Sequence, residues 1–140
     1  MPLQELAREN VVHAGPDTPV NELADRLRDE SVGSVVITNG TKPVGIVTDR
    51  DIATRALTQG SSGNDLTAAD LMTDNVITGS NEMGLYEAGE MMSQHGVRRL
   101  PICDEQGELC GIITADDVLE LLAEESQHLA SIIQSQRPPY

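Results

Sequence analysis

The chain has 140 residues, a length typical of one domain with a sizeable core, and 39% of them are apolar although Phe and Trp are absent. Its 23 acidic residues against 9 basic ones give a formal net charge of −14, which would repel a phosphate backbone and excludes nucleic acid as a partner. Such a charge indicates adaptation to a high-salt cytoplasm, and thus a halophilic source, or else only a strongly solvated surface.

No apolar run is long enough to span a bilayer, and the opening residues MPLQELAREN lack the basic and apolar regions of a secretory signal. We therefore expect a cytoplasmic protein that does not contact a membrane. Cys103 and Cys110 flank the sequence DEQGEL, where a hairpin could place them opposite one another. Because there is no secretion signal, small core residues are favoured over a disulfide.

The first predicted elements are a short extended run, NVVHA at residues 10–14, and an amphipathic helix. The helix carries apolar residues with the i, i+3, i+4, i+7 spacing of one buried face: Val20, Leu23, Ala24 and Leu27. Thr18 is its predicted N-cap, because Pro19 suits the first helical position. Two apolar strands follow, SVVIT and PVGIVT, which the turn NGTK joins, and a second helix begins after Thr48.

The sequence TQGSSGNDLT at residues 58–67 predicts a linker, after which the same elements recur. A shift of 65 residues aligns the first helices, and a shift of 66 superimposes two sets of three residues: Gly45, Thr48 and Asp51 on Gly111, Thr114 and Asp117. The chain is thus predicted to be a tandem repeat of β-α-β-β-α units. Gly84 and Gly89 fall within the second copy's first predicted helix, which should soften it. Because units of about 65 residues bury too little surface alone, we expect their sheets to face each other.

The repeated Thr-x-x-Asp stands where a strand ends and a helix begins, at Thr48 with Asp51 and at Thr114 with Asp117. One interpretation is a capping box, in which the Thr oxygen accepts from a free amide of the first turn and the acid reaches back. Another is a ligand site, because the free amides of a helix N-terminus attract anions and an Asp can accept hydrogen bonds from a ribose diol. The residues leave both interpretations open.

Two segments, VGSVVITNGTKPVGIVTDRDI and GVRRLPICDEQGELCGIITADDV, resemble the two halves of a CBS-domain pair, the Bateman module, and LMTDNVIT opens the second half as in that family. The resemblance spans residues 10–122. It implies an α/β fold of two CBS repeats packed through their sheets with pseudo-twofold symmetry. Repeat 1 with the linker would occupy residues 1–65, repeat 2 residues 66–124, and a C-terminal helical extension with its tail residues 125–140.

The resemblance also implies a regulatory module that binds AMP, ADP, ATP, S-adenosylmethionine or NAD in clefts between the repeats and passes its occupancy to an effector protein. The alternative is a CBS-type dimerisation module whose clefts hold no nucleotide. Carried over residue by residue, the expected ligand-binding positions are the two motifs, the first extended run of each repeat and the entry to the next strand. They are Thr48, Asp51, Thr114 and Asp117; Asn10, Val12, His13, Asn75, Ile77 and Thr78; and Gly33, Ser34, Arg98 and Arg99. Of the two strand entries, only the second carries positive charge.

The last predicted helix, DVLELLAEESQHLASIIQSQ, runs well past the repeat and carries a broad apolar face. The members of this face are Val118, Leu121, Leu122, Leu129, Ile132 and Ile133. The face packs either on its own module or on a second copy in a homodimer, and the resemblance favours the homodimer because CBS modules pair.

The sequence offers no candidate for catalysis or for a metal site. His13, His95 and His128 are far apart, with no cysteine or acid at ligand spacing. A glycine-rich phosphate loop with its lysine and a nucleophile elbow are both absent. We therefore expect neither an enzyme nor a catalytic cofactor.

Overall fold

The computed structural model describes residues 2–58 and 65–138, so residues 59–64 of the predicted linker lie outside the described part. The helices are α1 (Leu3–Leu6), α2 (Val20–Glu30), α3 (Asp49–Asp51), α4 (Ala68–Leu71), α5 (Leu85–His95) and α6 (Ala115–Gln136), and a π-helical segment, Ile52–Ala56, continues α3. The strands are β1 (His13–Ala14), β2 (Ser34–Asn39), β3 (Lys42–Thr48), β4 (Thr73–Asp74), β5 (Gly79–Ser80), β6 (Arg99–Cys103) and β7 (Leu109–Thr114).

The strands form two sheets with the same plan, which confirms the predicted tandem repeat and its α/β class. In the first sheet β1 pairs parallel with β2, β2 pairs antiparallel with β3, and β4 adds to the far edge. In the second sheet β5, β6 and β7 repeat the first three strands. The predicted extended runs are shorter than expected: NVIT at residues 75–78 lies outside a strand, and pairing begins at Gly79.

Helix α2 confirms the predicted amphipathic face, because its apolar side is buried in the first core. The predicted N-cap at Thr18 is wrong, since the helix begins at Val20 and Pro19 occupies the N-cap position without a side-chain hydrogen bond. A neighbouring backbone satisfies the helix end instead: the Val20 amide donates to the Leu66 carbonyl at 3.0 Å. The local sequence could not reveal this partner.

Each core is completed by the segment that leads into the other repeat. Leu66, Ala68 and Leu71, which precede β5, the first strand of the second sheet, are buried in the first core. Leu3, which precedes β1, the first strand of the first sheet, is fully buried in the second core. The two cores therefore depend on each other's flanking chain, and the domain boundaries at residues 65 and 124 stay predictions.

The same exchange extends each sheet by a short pairing. Arg8 pairs antiparallel with Ile112 of β7, and Thr73 pairs antiparallel with Ile46 of β3. Ile112 and Ile46 are equivalent under the repeat, so Arg8 and Thr73 hold equivalent places in the two halves. The two hairpin turns also touch, because the amide of Leu109 donates to the Thr41 carbonyl at 2.8 Å.

The cysteines confirm their interpretation as small core residues, since both are free. Cys103 is buried and Cys110 is half-buried. The hairpin register places Cys103 opposite Leu109 rather than opposite Cys110. Burial raises the pKa of both thiols above the ordinary range, which keeps them in the unreactive protonated form.

Helix α6 leaves its second half without cover. Val118 and Leu121 are half-buried, but every described residue from Leu122 onward is exposed. The large apolar side chains of α6 are 54–66% exposed at five positions: Leu119, Leu122, Leu129, Ile132 and Ile133. Packing of this face on its own module is therefore wrong beyond Leu121. In the described parts of the chain, no helix is long and apolar enough to cross a membrane.

Gly111 lies where the N-terminal segment crosses β7. A Cβ at this position would come within 3.0 Å of the Ala7 Cβ and 3.2 Å of the Arg8 carbonyl oxygen. Gly111→Ala should lower the free energy of unfolding by about 1–3 kcal/mol, because a backbone carbonyl cannot move aside as a flexible side chain can. Denaturant unfolding followed by circular dichroism measures this change.

Gly89→Ala is the matched control. Helix α5 begins at Leu85 with Gly84 as its N-cap, so Gly84 does not interrupt the helix as predicted, whereas Gly89 lies inside it. A Cβ at Gly89 would meet nothing within 4 Å, so this change should stabilise the protein by up to about 1 kcal/mol. Equal stability of the Gly111→Ala variant and the parent protein would contradict the close crossing over β7.

Candidate ligand-binding site

Both Thr-x-x-Asp motifs form complete capping boxes, which confirms the capping interpretation. In the first, the Asp51 amide donates to Thr48 Oγ1 at 3.1 Å, and the Thr48 amide donates to Asp51 Oδ2 at 2.9 Å. In the second, the Asp117 amide donates to Thr114 Oγ1 at 3.2 Å, and the Thr114 amide donates to Asp117 Oδ2 at 3.1 Å. Each box consumes one carboxylate oxygen and leaves the other for a further partner.

The second carboxylate oxygen has a different environment in each half. Asp117 Oδ1 accepts a hydrogen bond from the Arg8 guanidinium at 2.9 Å. Asp51 Oδ1 lies 3.8 Å from Arg55 Nε, which is too long for a hydrogen bond. The side chains of both aspartates are 16% exposed, so burial does not explain the difference.

The ion pair with Arg8 also controls the titration of Asp117. Burial by itself would raise the pKa of this carboxyl, but hydrogen bonds from Arg8 and Thr114 and the positive charge of Arg8 outweigh it, and the pKa falls below the ordinary value. The same hydrogen bond and charge raise the pKa of Arg8. Sequence reasoning missed Arg8, because 109 residues separate it from Asp117.

A cavity of about 420 Å³ lies against the first motif and is lined by residues of both repeats. Its walls are Ile46, Thr48, Asp49 and Arg50; Thr73, Asn75, Val76 and Ile77; and Val97, Arg98 and Arg99. This arginine-lined cavity has the size of a small-molecule site. It brings together five of the predicted binding residues, namely Thr48, Asn75, Ile77, Arg98 and Arg99.

The cavity concentrates positive charge in an acidic protein. Lys42 is the one lysine among the nine basic residues, so the chain has eight arginines, and three of them line this cavity. Asp49 is the one acidic residue of the lining. The arginine-lined cavity is therefore suited to an anionic ligand.

Arg99 reaches across from the second repeat to the first. A Cβ on Gly33 would lie 2.7 Å from an Arg99 guanidinium nitrogen and 3.8 Å from an Asp49 carboxylate oxygen. The absence of a side chain at Gly33 thus gives the guanidinium its place beside the cavity. Arg98 is held less firmly, because its 3.4 Å ion pair with Asp116 is largely exposed on both sides.

The remaining walls are polar or aliphatic. Ile46, Val76, Ile77 and Val97 offer apolar surface that could pack against a flat base. Asn75 adopts a left-handed backbone conformation with φ of 54°, which asparagine tolerates better than most residues. It leads the chain from β4 into the cavity wall.

The other predicted binding residues do not line this cavity. Asn10 and His13 are exposed, whereas Val12 packs against the first core. Thr78 is half-buried and hydrogen-bonds with Cys103, and Ser34 pairs with Thr48 between β2 and β3. Asp51, Thr114 and Asp117 serve in the capping boxes, and Gly33 lies beneath Arg99.

Sequence reasoning also missed Asp49 and Arg50 as wall residues. They stand between Thr48 and Asp51 in the motif itself, so their position in the sequence could have identified them. Thr73, Val76 and Val97 lie within segments that the resemblance covered. In residues 2–58 and 65–138, no group of three His, Cys, Asp or Glu side chains is placed to hold a metal ion.

Comparison with known proteins places this arrangement in a family. The family model described as "CBS domain" matches residues 3–57 and again residues 68–124. An uncharacterised protein of Methanopyrus kandleri, MK0525, is 39% identical over 118 residues, which cover 84% of this chain. The chain spans 60% of the length of that relative.

Solved structures share the fold. The CBS domain pair of protein MJ0100, in complex with 5′-methylthioadenosine and S-adenosyl-L-methionine, superposes with a TM-score of 0.79 at 26% identity, covering 89% of this chain and 98% of that one. CBSX2 in complex with AMP superposes with a TM-score of 0.75, covering the same shares, and at 22% identity shows the fold alone. Two family matches, one on each repeat, together with this fold show that the chain belongs to the CBS-domain family as a tandem pair.

Proposed function

We propose that the protein is a regulatory module that binds a phosphorylated adenosine compound, AMP, ADP or ATP, in the arginine-lined cavity. The observation that carries the proposal is the position of Arg50, Arg98 and Arg99 around one cavity in a chain with a formal net charge of −14. Such a chain has few cations, so three at one site need a reason. An anionic ligand supplies that reason.

The charged and the aliphatic walls of the cavity suit different parts of the ligand. Guanidinium groups bind phosphate oxygens through paired hydrogen bonds, so the arginines suit the phosphate end of the ligand. The aliphatic walls suit the adenine ring, which would be shielded there from water. The Thr48 hydroxyl accepts from the Asp51 amide but still has its own proton to donate.

Two aspartates at the first motif, Asp49 and Asp51, can accept hydrogen bonds from the ribose hydroxyls. Asp51 keeps one oxygen outside its capping box, as the family resemblance requires of a ribose acceptor, but Asp49 is the acid on the cavity wall. Asp49 Oδ1 accepts from the Arg50 amide at 2.8 Å, and Oδ2 points toward Gly33. We therefore assign both carboxylates to the ribose side of the site, Asp49 on the cavity wall and Asp51 directly behind it, where it is hydrogen-bonded to the wall residue Thr48.

The candidate ligands differ in charge, and this difference decides how well each one suits a cavity with three arginines. S-adenosylmethionine carries a sulfonium cation, which three arginines would repel, and neutral adenosine gains nothing from them. The CBS domain pair of MJ0100, in complex with 5′-methylthioadenosine and S-adenosyl-L-methionine, supports the adenosyl class, while the residues of this cavity favour its phosphorylated members. NAD carries two phosphates but is larger, and it ranks below the mononucleotides in a cavity of about 420 Å³.

Arg99→Ala tests the phosphate assignment. Loss of a charge-assisted hydrogen bond costs about 1.5–3 kcal/mol, so the affinity for AMP should fall roughly 10-fold to 100-fold. The affinity for adenosine should change by less than about twofold, because adenosine has no phosphate to lose a partner. Isothermal titration calorimetry with both ligands measures the two effects.

Arg28→Ala is the matched control, because Arg28 is an exposed α2 arginine that pairs with Asp25 and Asp29 away from the cavity. It should leave both affinities unchanged. Equal losses for AMP and adenosine in Arg99→Ala would show that the arginine supports the fold or packs on the base. If AMP, ADP, ATP, S-adenosylmethionine and NAD all fail to raise the melting temperature of the parent protein, the binding function is wrong.

A second function, association with another copy, is favoured by α6. An apolar groove of about 500 Å³ runs between α5 and α6, with Leu85, Tyr86, Val118 and Leu122 among its walls. The exposed apolar face of α6 continues from Leu122 along the same helix. We propose that two copies pair through this groove and face as a homodimer, which would join two nucleotide sites in one assembly.

Leu129→Gln with Ile133→Gln tests the homodimer. The two changes should reduce the mass seen by light scattering toward that of one chain, because they place polar groups in the contact while the repeat cores stay intact. Gln127→Ala with Gln134→Ala, also on the exposed part of α6, is the control and should leave the mass unchanged. A parent protein that is a monomer at tens of micromolar would end this proposal.

The source and the location of the protein are proposals as well. An excess of 23 acidic over 9 basic residues supports adaptation to a high-salt cytoplasm, in which salt screens the repulsion. We also propose that the molecule responding to occupancy of the module is an effector protein.

A further inference from the structure

We propose that Arg8 closes the second Thr-x-x-Asp motif to ligands, so that each chain binds one adenosine nucleotide, in the arginine-lined cavity of the first motif. This inference rests on the proposed function, and it adds a residue that decides which of two repeated sites is used. It explains why two motifs with the same signature have different surroundings.

Arg8 occupies the position in the second half that Thr73 occupies in the first. Arg8 pairs with Ile112 on the edge of β7, where Thr73 pairs with Ile46 on the edge of β3. Thr73 is short and lines the arginine-lined cavity, whereas Arg8 extends to Asp117. The equivalent positions thus hold an open wall in one half and a charged side chain in the other.

The carboxylate oxygens of the two motif aspartates also have different hydrogen-bond partners. Asp117 has both carboxylate oxygens engaged, one by the Thr114 amide and the other by Arg8 at 2.9 Å. Asp51 has one oxygen engaged by the Thr48 amide, and its other oxygen makes a longer ion pair, at 3.8 Å, with Arg55 Nε and no hydrogen bond. Another nitrogen of the Arg55 guanidinium donates to the Leu71 carbonyl at 3.0 Å. A ribose diol would find an acceptor on Asp51 but would have to displace Arg8 from Asp117.

The two sites also differ in charge. Asp49 and Ala115, the residues after each motif threonine, receive equivalent backbone contacts: the Asp49 amide donates to the Gly33 carbonyl and the Ala115 amide to the Arg98 carbonyl. Gly33 is thus the equivalent of Arg98. By the same alignment, Ser34 is the equivalent of Arg99 and Asp116 that of Arg50. Three arginines of the first site are replaced by a glycine, a serine and an acid in the second.

A small cavity also touches Asp117, although Arg8 is the one residue of its lining that is equivalent to a wall residue of the arginine-lined cavity. It measures about 220 Å³, and its lining holds three glutamates, namely Glu5, Glu120 and Glu124, besides Asp117. Arg8 is the cation among these lining residues, and Asp117 already neutralises it. A phosphate would meet mainly negative charge here.

Arg8 is held by more than its side chain. Its amide donates to the Ile112 carbonyl at 2.9 Å, and its carbonyl accepts from the Ile112 amide at 3.0 Å. Leu3, five residues earlier, is fully buried in the second core. The segment from Leu3 to Arg8 therefore fixes the backbone from which the largely exposed Arg8 side chain reaches Asp117.

The test is the number of ligands that each chain binds. The parent protein should bind one AMP, and Arg8→Thr, which installs the residue found at position 73, should bind a second adenosine compound at a new site. The new site should bind adenosine and AMP within about threefold of each other, because it lacks the three arginines. Arg8→Lys keeps the charge and should retain one site, and Arg28→Thr is the control for loss of a surface arginine. Calorimetry gives each stoichiometry.

Two results would overturn the inference: two nucleotides bound by the parent protein, or one bound by a folded Arg8→Thr variant. If the Thr variant does not fold, Arg8→Gln, which preserves most of the side-chain length, takes its place. A parent protein that binds no adenosine compound would refute the proposed function. In that case, binding by Arg8→Thr would still support the role of Arg8, and no binding by either would refute both.

The pKa of Asp117, measured without ligand, shows whether Arg8 acts through its ion pair with this carboxylate or only through the backbone of its segment. The ionised form of Asp117 stabilises the fold above the ordinary range of an aspartate, and this contribution is lost as the pH falls through the lowered folded pKa. Arg8→Thr should therefore raise the pKa of Asp117 as followed by carboxyl NMR. The neighbouring Glu5, Glu120 and Glu124 are titrated in the same experiment, since they line the same cavity. An unchanged pKa of Asp117 would contradict the ion pair and overturn the inference.

Discussion

The structure depends on one constraint: neither repeat has enough chain to bury its own core. A unit of about 65 residues buries too small a fraction of its surface to be stable by itself. The fold solves this by exchange, in which Leu3 fills the second core while Leu66, Ala68 and Leu71 fill the first. Because the flanking segments must cross to the opposite unit, residues of both repeats meet at the arginine-lined cavity. The site is thus a consequence of how the cores are completed.

Duplication preserved the helix starts more strictly than the ligand chemistry. Both capping boxes have the same four partners and nearly the same distances, because each helix needs its first amides satisfied whether or not a ligand is present. The positions that face a ligand have diverged: Arg50 stands opposite Asp116 in the alignment, and Arg98 opposite Gly33. The shared signature therefore identifies where the helices begin, while its neighbours determine what can bind.

Local patterns predicted the local structure well. The apolar spacing of α2, the hairpins and the capping boxes depend on residues within a few positions of one another, and these predictions are confirmed. The failures arise where a distant segment intervenes. Thr18 is not the N-cap because the backbone near Leu66 reaches that helix end, and the NVIT run stays outside the sheet. The helix after Thr48 begins where it was predicted, but after three α-helical residues it continues as a π-helical segment, which the local sequence did not predict.

The candidate site could be predicted where its residues lie in or near the recognised motifs. Five expected residues line the cavity because the resemblance carried their positions, and Asp49 and Arg50 could have been added from the motif itself. The contact of Arg8 with Asp117 could not, because nothing in either local sequence pairs two residues 109 positions apart.

The crossing of the N-terminal segment has a consequence for the order in which the protein is made. The first core needs chain only as far as Leu71, so it can close while the second repeat is still being synthesised. The second core needs Leu3, which leaves the ribosome well before its partners in that core, which run from Met83 and Ala88 to Ile113. Until those partners follow, the Leu3 side chain cannot be buried in this core. A bulky fusion placed directly before Leu3 would therefore hinder the second half of the molecule, the one farther from it in sequence.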